Sequence, residues 1–190
     1  MTEIFRGNDF FIALSRTISY ILRHDPQKFG LQPDDGGFVR VADLLSVLHA
    51  HFPELLNVSF EDLQQMIRRS EKKRHEISGD KIRACYGHSR VNILKPAAVP
   101  PDILFHGTTA EASEKISLSG LLPMQRQYVH LSEDRKTAQM VAERRTASAV
   151  ILQINAKKAF ESGIKFYKGN DTTWMSEPIP VSFITFSAGQ

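Results

Sequence analysis

The stretch Lys95-Pro-Ala-Ala-Val-Pro-Pro-Asp102 decides how this 190-residue chain is organised. Proline locks its own φ, lacks an amide donor and restricts the residue before it. Three prolines in this stretch therefore exclude both helix and ladder strand. Residues 1–95 and 102–190 are expected to form two lobes, and the chain is long enough for each to bury its own core.

On the amino-terminal side, Phe11, Leu14, Ile18, Ile21 and Leu22 recur at helical spacing, and the helix should stop at His24-Asp25-Pro26. Asp35-Gly-Gly37 reads as a turn, and Val41, Leu44, Leu45 and Leu48 as a second helix. Ser59 and Asp62 make a capping-box pattern that opens a third helix through Leu63, Met66 and Ile67. Residues 74–77 and 81–85 are strand-like and joined by Ser78-Gly-Asp80, which predicts a hairpin. Three helices and a hairpin are the order of a winged helix, a unit that also serves as plain scaffold. Beyond the prolines, residues 103–105, 128–131, 150–154, 164–167, 173–175 and 181–186 look like short strands. Helices are expected at 111–118, closed by Gly120, and at 134–145. The fold class is α+β.

Composition narrows the partners. The net charge is only +3, but residues 68–90 hold eight lysines and arginines against three acids. A basic segment of this kind suits a phosphate backbone, because each contact releases counterions, and it equally describes a solvated surface. The single cysteine, Cys85, rules out an intramolecular disulfide. With His88 it supplies half a metal site at most, so no metal is expected. No apolar run approaches the ~18 residues of a membrane helix, and the terminus MTEIFRGNDF lacks a secretory profile. A soluble, cytoplasmic monomer without a membrane partner is expected.

Several short motifs could carry chemistry. Arg23 can grip phosphate bidentately, and the imidazole of His24 titrates near neutrality, although both cations also suit a helix C-terminus. Lys72-Lys-Arg74 leads into the hairpin and Gly87-His-Ser89 follows it. In His106-Gly-Thr108, the glycine would let the backbone approach a ligand while His106 and Thr108 supply hydrogen bonds; a polar turn is the plainer reading. In Arg126-Gln-Tyr-Val-His-Leu-Ser132, alternation puts Arg126, His130 and Ser132 on one strand face, which suits a polar cleft better than a core. No phosphate-cradling glycine loop or dinucleotide fingerprint is present.

Taken in order, Leu22-Arg-His-Asp-Pro26, Asp35-Gly-Gly37, Lys73-Arg74, Ile82-Arg-Ala84 with Gly87-His-Ser89, Phe105-His-Gly-Thr108, Tyr128-Val-His-Leu-Ser132 and Trp174-Met175 resemble the RNA 2′-phosphotransferase family, bacterial relatives of the tRNA-splicing 2′-phosphotransferase. The resemblance runs from about Leu14 to Phe186. It implies an amino-terminal winged-helix lobe and a carboxy-terminal lobe like that of ADP-ribosyltransferases, with the active site between them. It implies NAD as a consumed co-substrate and 2′-phosphorylated RNA as partner. The family's essential set falls on Arg23, His24, Arg74 and Arg126. Its NAD-binding segments fall on His106, Gly107, Thr108, His130 and Ser132, and RNA contacts are expected from Lys73, Arg83, His88 and Ser89. His106 and His130 take the first two places of the ADP-ribosyltransferase triad; the third, apolar in this family, lies near Thr173. Two other positions depart from the pattern: His75 stands where the family usually has phenylalanine, and Tyr86 where it usually has glutamine.

Two rival functions share these motifs. An ADP-ribosyltransferase acting on protein or terminal nucleic-acid phosphates would stop after nicotinamide loss. A non-enzymatic winged-helix regulator that senses NAD would bind duplex and release no nicotinamide.

Overall fold

Residues 92–101 take no regular structure in the computed structural model, which describes residues 7–186. Residues 1–6, part of the terminus read for a secretory profile, lie outside that range. The chain divides between Leu94 and Lys95 into two compact units.

In the first unit, α1 (Asn8–His24) forms because its apolar residues fall on one stripe; Phe11, Leu14, Ile18, Ile21 and Leu22 are all buried. It ends two residues before Pro26. A short strand β1 (Val39–Arg40) leads into α2 (Val41–His51). The capping box at α3 (Phe60–Arg69) is fully formed, with Ser59 and Asp62 satisfying each other's backbone amides. The hairpin strands β2 (His75–Ser78) and β3 (Lys81–Ala84) complete an antiparallel sheet in the order β1-β3-β2. Leu44, Leu48, Leu63, Met66 and Ile82 close the core against α1, each contributing roughly 1.5–3 kcal/mol of burial.

The second unit is a six-stranded antiparallel sheet. Its elements are β4 (Ile103–Thr109), α4 (Ala110–Ser119), β5 (Val129–Ser132), α5 (Arg135–Ala142), β6 (Ala149–Asn155), α6 (Ala156–Glu161), β7 (Phe166–Lys168), β8 (Thr173–Ser176) and β9 (Ile184–Phe186). The strand order is β7-β8-β5-β4-β6-β9. Leu104, Val129, Leu131, Leu152, Ile154, Phe166 and Trp174 form the main core on one side of this sheet. Ala138, Ala142 and Ile151, joined by Phe105, pack on the other.

Several boundaries differ from expectation, and one changes an argument. Strand β5 begins at Val129, and the Arg126 amide donates to the Pro123 carbonyl in a turn. Arg126 is therefore not on the strand face of His130 and Ser132. The helix expected over 134–145 runs only to Ala142, with Asp134 as its cap outside it. The strand expected at 164–167 starts at Phe166, because the Ile164 amide instead donates to Ala159 at the end of α6. Residues 181–183 form a 3-10 turn behind Pro180, leaving only β9 of the strand expected at 181–186. Helix α6 and strand β1 are too short to show a periodicity and were not anticipated.

Gly107 needs its missing side chain for packing. A Cβ there would lie 2.1 Å from the carbonyl oxygen of Ala138 and 3.0 Å from the Ala142 methyl. The close approach that this glycine permits is taken up by α5, where the sequence suggested a ligand. Gly107→Ala should therefore destabilise the protein by about 3 kcal/mol, the upper range for overpacking. A urea titration checks this; a midpoint unchanged from the parent would show that α5 does not seat on β4 in this way.

Candidate active site

Helix α1 delivers Arg23 and His24 at its C-terminal end, and the segment after β3 wraps that end. The Ser89 amide donates to the Arg23 carbonyl at 3.1 Å, satisfying one of the acceptors a helix terminus leaves open. The Ser89 hydroxyl lies 2.8 Å from His24 Nδ1, which fixes the ring and leaves Nε2 as its other polar edge. Arg23 stacks over the Tyr86 ring, 4.9 Å from its centroid. Its stem passes Gly87, where an added Cβ would lie 3.4 Å from the Arg23 Cδ. Tyr86 thus braces the arginine through a cation–π contact worth about 0.5–1 kcal/mol.

Arg74 immediately precedes β2, and its Nη1 donates to the Ser70 hydroxyl at 3.1 Å. Next to it, His75 is only 4% exposed, with Nε2 3.0 Å from the Ser19 hydroxyl on α1. Burial, then the nearby charges of Arg23 and Arg74, push the His75 pKa down to about 3. The ring is neutral at pH 7 and lies in the field of both arginines.

The expected RNA contacts separate. Lys73 is exposed beside Arg74. Ser89 holds His24. Arg83 is committed elsewhere: its Nε and Nη2 donate to Glu76, its Nη1 donates to the Gly36 carbonyl, and it covers the Phe38 ring. His88 is 4% exposed and packs near Gly37. His88 lies in the chain between Gly87, which packs on the Arg23 stem, and Ser89, which holds His24.

In the second unit the site grows from a gap in the sheet. Strands β4 and β6 share seven registered pairs, but β4 and β5 share only Phe105 with Ser132. Near that single pair, the His106 ring bridges the strands, with Nδ1 2.9 Å from the His130 carbonyl. A carbonyl can only accept, so His106 Nδ1 carries the proton and Nε2 presents a lone pair. His130 Nδ1 likewise donates to the Tyr128 carbonyl at 3.0 Å. Desolvation, and after it the charges of Arg126 and Arg145, lower the His106 pKa against the raising effect of its hydrogen bond. His106 is therefore a neutral base beside two cations.

Register separates the remaining residues. His106 pairs with Leu152 and shares the main core's face, whereas Ser132 pairs with Phe105 on the α5 face. His130 follows Ser132's parity and lies opposite Met175, which in turn pairs with Tyr167. Thr108 and Gly107 continue β4, and Thr173 lies opposite Ser132. The sequence reading missed Arg145, whose exposed Arg144-Arg145 doublet after α5 was its only signal. Tyr167 packs against the Tyr128 ring, with their centroids 4.6 Å apart. A depression of about 420 Å³ opens in the first unit beside Asp34, Phe38, Arg40, Asp43 and Lys81; none of the expected catalytic residues lines it. Among the described residues no cluster of histidine, cysteine and carboxylates could hold a metal, and no helix is long and apolar enough to cross a membrane.

Comparison with known proteins gives a consistent class. The family model of the "RNA 2′-phosphotransferase, Tpt1 / KptA family" matches residues 11–178. A probable RNA 2′-phosphotransferase of Bacillus thuringiensis is 47% identical over 179 residues, covering 94% of this chain and 96% of its own. One of Acetivibrio thermocellus is 47% identical over 177 residues, covering 93% and 97%. One of Fusobacterium nucleatum is 36% identical over 178 residues, covering 92% and 98%. The class is that of transferases. The chain belongs to the RNA 2′-phosphotransferase, Tpt1 / KptA family.

His75 makes this protein acid-sensitive in a calculable direction. Unfolded, an imidazole binds a proton below about 6.5; folded, His75 does so only near 3. Between those values the unfolded chain holds the extra proton, so stability falls as pH drops from about 6.5 toward 3. The loss from this one group is about 2 kcal/mol at pH 5. Urea unfolding at pH 7 and pH 5 should show this component in the parent and lose it in His75→Phe; equal pH dependence in both proteins would refute it.

Proposed function

We propose that this protein removes an internal 2′-phosphate from RNA by transferring it to NAD. The products are RNA with a 2′-hydroxyl, nicotinamide and ADP-ribose 1″,2″-cyclic phosphate. The observation that carries the reading is a pair of arginines, Arg23 and Arg74, whose charges both reach the buried His75 ring, with Ser89 orienting the imidazole of His24 next to Arg23, in a member of this family. On this reading the first unit is a winged-helix, phosphate-binding lobe and the second an ADP-ribosyltransferase-like, NAD-binding lobe.

The residues suit a dinucleotide. His106 Nε2 is an acceptor for a ribose hydroxyl, and the positive field at that ring suits a pyrophosphate. His130, Ser132, Gly107 and Thr108 belong to the same proposed NAD segments. NAD supplies an anomeric carbon with a neutral leaving group.

In the first step the RNA 2′-phosphate attacks that carbon and nicotinamide leaves with the electron pair of the broken bond. An anionic nucleophile requires no general base. It requires alignment and charge compensation, the part assigned to Arg23, Arg74 and Arg126. In the second step the ribose 2″-hydroxyl attacks phosphorus and expels the RNA 2′-oxygen. One hydroxyl loses a proton and one oxygen gains it. His24, held at Nδ1 by Ser89, transfers it through Nε2. Lys73 adds a surface charge toward the RNA backbone.

Nicotinamide release from NAD should require RNA carrying a 2′-phosphate. Incubation with phosphorylated and unphosphorylated oligoribonucleotides measures this, and equal release with both would refute the reading.

His24→Ala should separate the two steps. Proton transfer contributes about 10²–10⁴ in rate, and it is needed only in the second step. ADP-ribosylated RNA phosphate should accumulate in the variant and be scarce in the parent. A labelled 2′-phosphate followed by gel would reveal it. Nicotinamide release blocked as severely as product formation would reassign His24 to binding.

A further inference from the structure

The Ser19–His75 hydrogen bond joins α1, which carries Arg23, to the start of β2, which Arg74 immediately precedes, and the mechanism above makes no use of it. Ser19 lies one helical turn before Arg23, so the two side chains share a face of α1. His75 directly follows Arg74 at the start of β2. Their contact, 3.0 Å between Oγ and Nε2, therefore ties α1 to β2 one turn from one guanidinium and one residue from the other. It is partly buried, and the imidazole itself is almost wholly enclosed.

We infer that the Ser19–His75 hydrogen bond sets the separation of the Arg23 and Arg74 guanidinium groups, making Ser19 and His75 positioning residues for recognition of a phosphate dianion. This rests on the reading of those arginines as a phosphate grip. The physical need is clear. Two like charges repel, and a bound dianion draws them inward, so their spacing must come from the scaffold. A carboxylate tie would fix the spacing but would also neutralise the grip, whereas a neutral imidazole on a hydroxyl ties the elements without adding charge. Phenylalanine in place of His75 could fill the space and could not make this bond.

Ser19→Ala is the informative variant, because alanine is the better helix former and the site lies mid-helix. Binding of a fluorescent 2′-phosphorylated oligoribonucleotide, measured without NAD against its unphosphorylated twin, reads the grip directly. The parent should prefer the phosphorylated strand, and Ser19→Ala should lose about tenfold of that preference, the scale of one hydrogen bond. Ser19→Thr, which keeps the hydroxyl, should restore it. His75→Phe should match Ser19→Ala, and the double variant should be no worse than either, because both remove the same bond. In turnover, KM for the RNA should rise while KM for NAD stays within twofold. Thermal melting run alongside separates this from general loosening. A parent with no preference would overturn the phosphate grip itself, and the inference with it. A preference retained in Ser19→Ala, or the two KM values rising together, would overturn the inference alone.

Discussion

Arginines that grip an anion need scaffold contacts that add no charge of their own; on the reading proposed for this protein, buried imidazoles supply such contacts in both units. At ~4 Å and a near-surface dielectric, two like charges repel by about 4 kcal/mol. Each unit sets a neutral imidazole in the field of two arginines. His75 feels Arg23 and Arg74, and His106 feels Arg126 and Arg145. Both rings are kept neutral chiefly by desolvation, so they tie elements together and leave the positive field undiminished. The hydroxyl of Ser19 and the carbonyl of His130 hold these rings where an acid would serve elsewhere.

The first unit was largely legible because its signals are local. The α1 stripe, the stop before Pro26 and the Ser59–Asp62 box each depend on residues within a turn or two, and each forms. What sequence could not give was which cations remain available. Arg83 and Arg74 both read as basic residues of the hairpin, yet Glu76, Gly36 and Phe38 engage Arg83 across the sheet. That difference is set by strand register, which places Glu76 opposite Arg83. His88 likewise reads as a polar contact and is buried. The family resemblance supplied the names of Arg23, His24 and Arg74; the contacts that brace Arg23 and His24 come from Tyr86 and Ser89, far along the chain, whereas Arg74 donates to the nearby Ser70.

The second unit was less legible because its chemistry sits where regular pattern stops. Alternation correctly groups His130 with Ser132, since both follow the parity fixed by Ser132 opposite Phe105. The same alternation misplaces Arg126, because the strand begins three residues later and the chain turns before it. Gly107 shows a packing role that pattern does not announce. A glycine between polar residues suggests ligand approach, but its missing Cβ is filled by the α5 carbonyl of Ala138. Helix α5 is therefore a fixed wall of β4, and Arg145 follows three residues after Ala142, which touches that glycine.

The meeting of β4 and β5 at one pair explains why histidines rather than backbone amides mark this region. A full ladder would satisfy the carbonyls of β5 and leave nothing to orient a ring. With only Phe105 and Ser132 in register, the His130 carbonyl is open to accept from His106, and that bond decides which nitrogen of His106 keeps its lone pair. Thr173 lies opposite Ser132 on the next strand. On the reading proposed for this protein, a carboxylate at 173 would set a negative charge in the unit that must accept an anionic nucleophile. Threonine keeps a hydrogen-bonding edge there without that repulsion, so on that reading the preference for neutral groups beside the arginines extends from the first unit to the second.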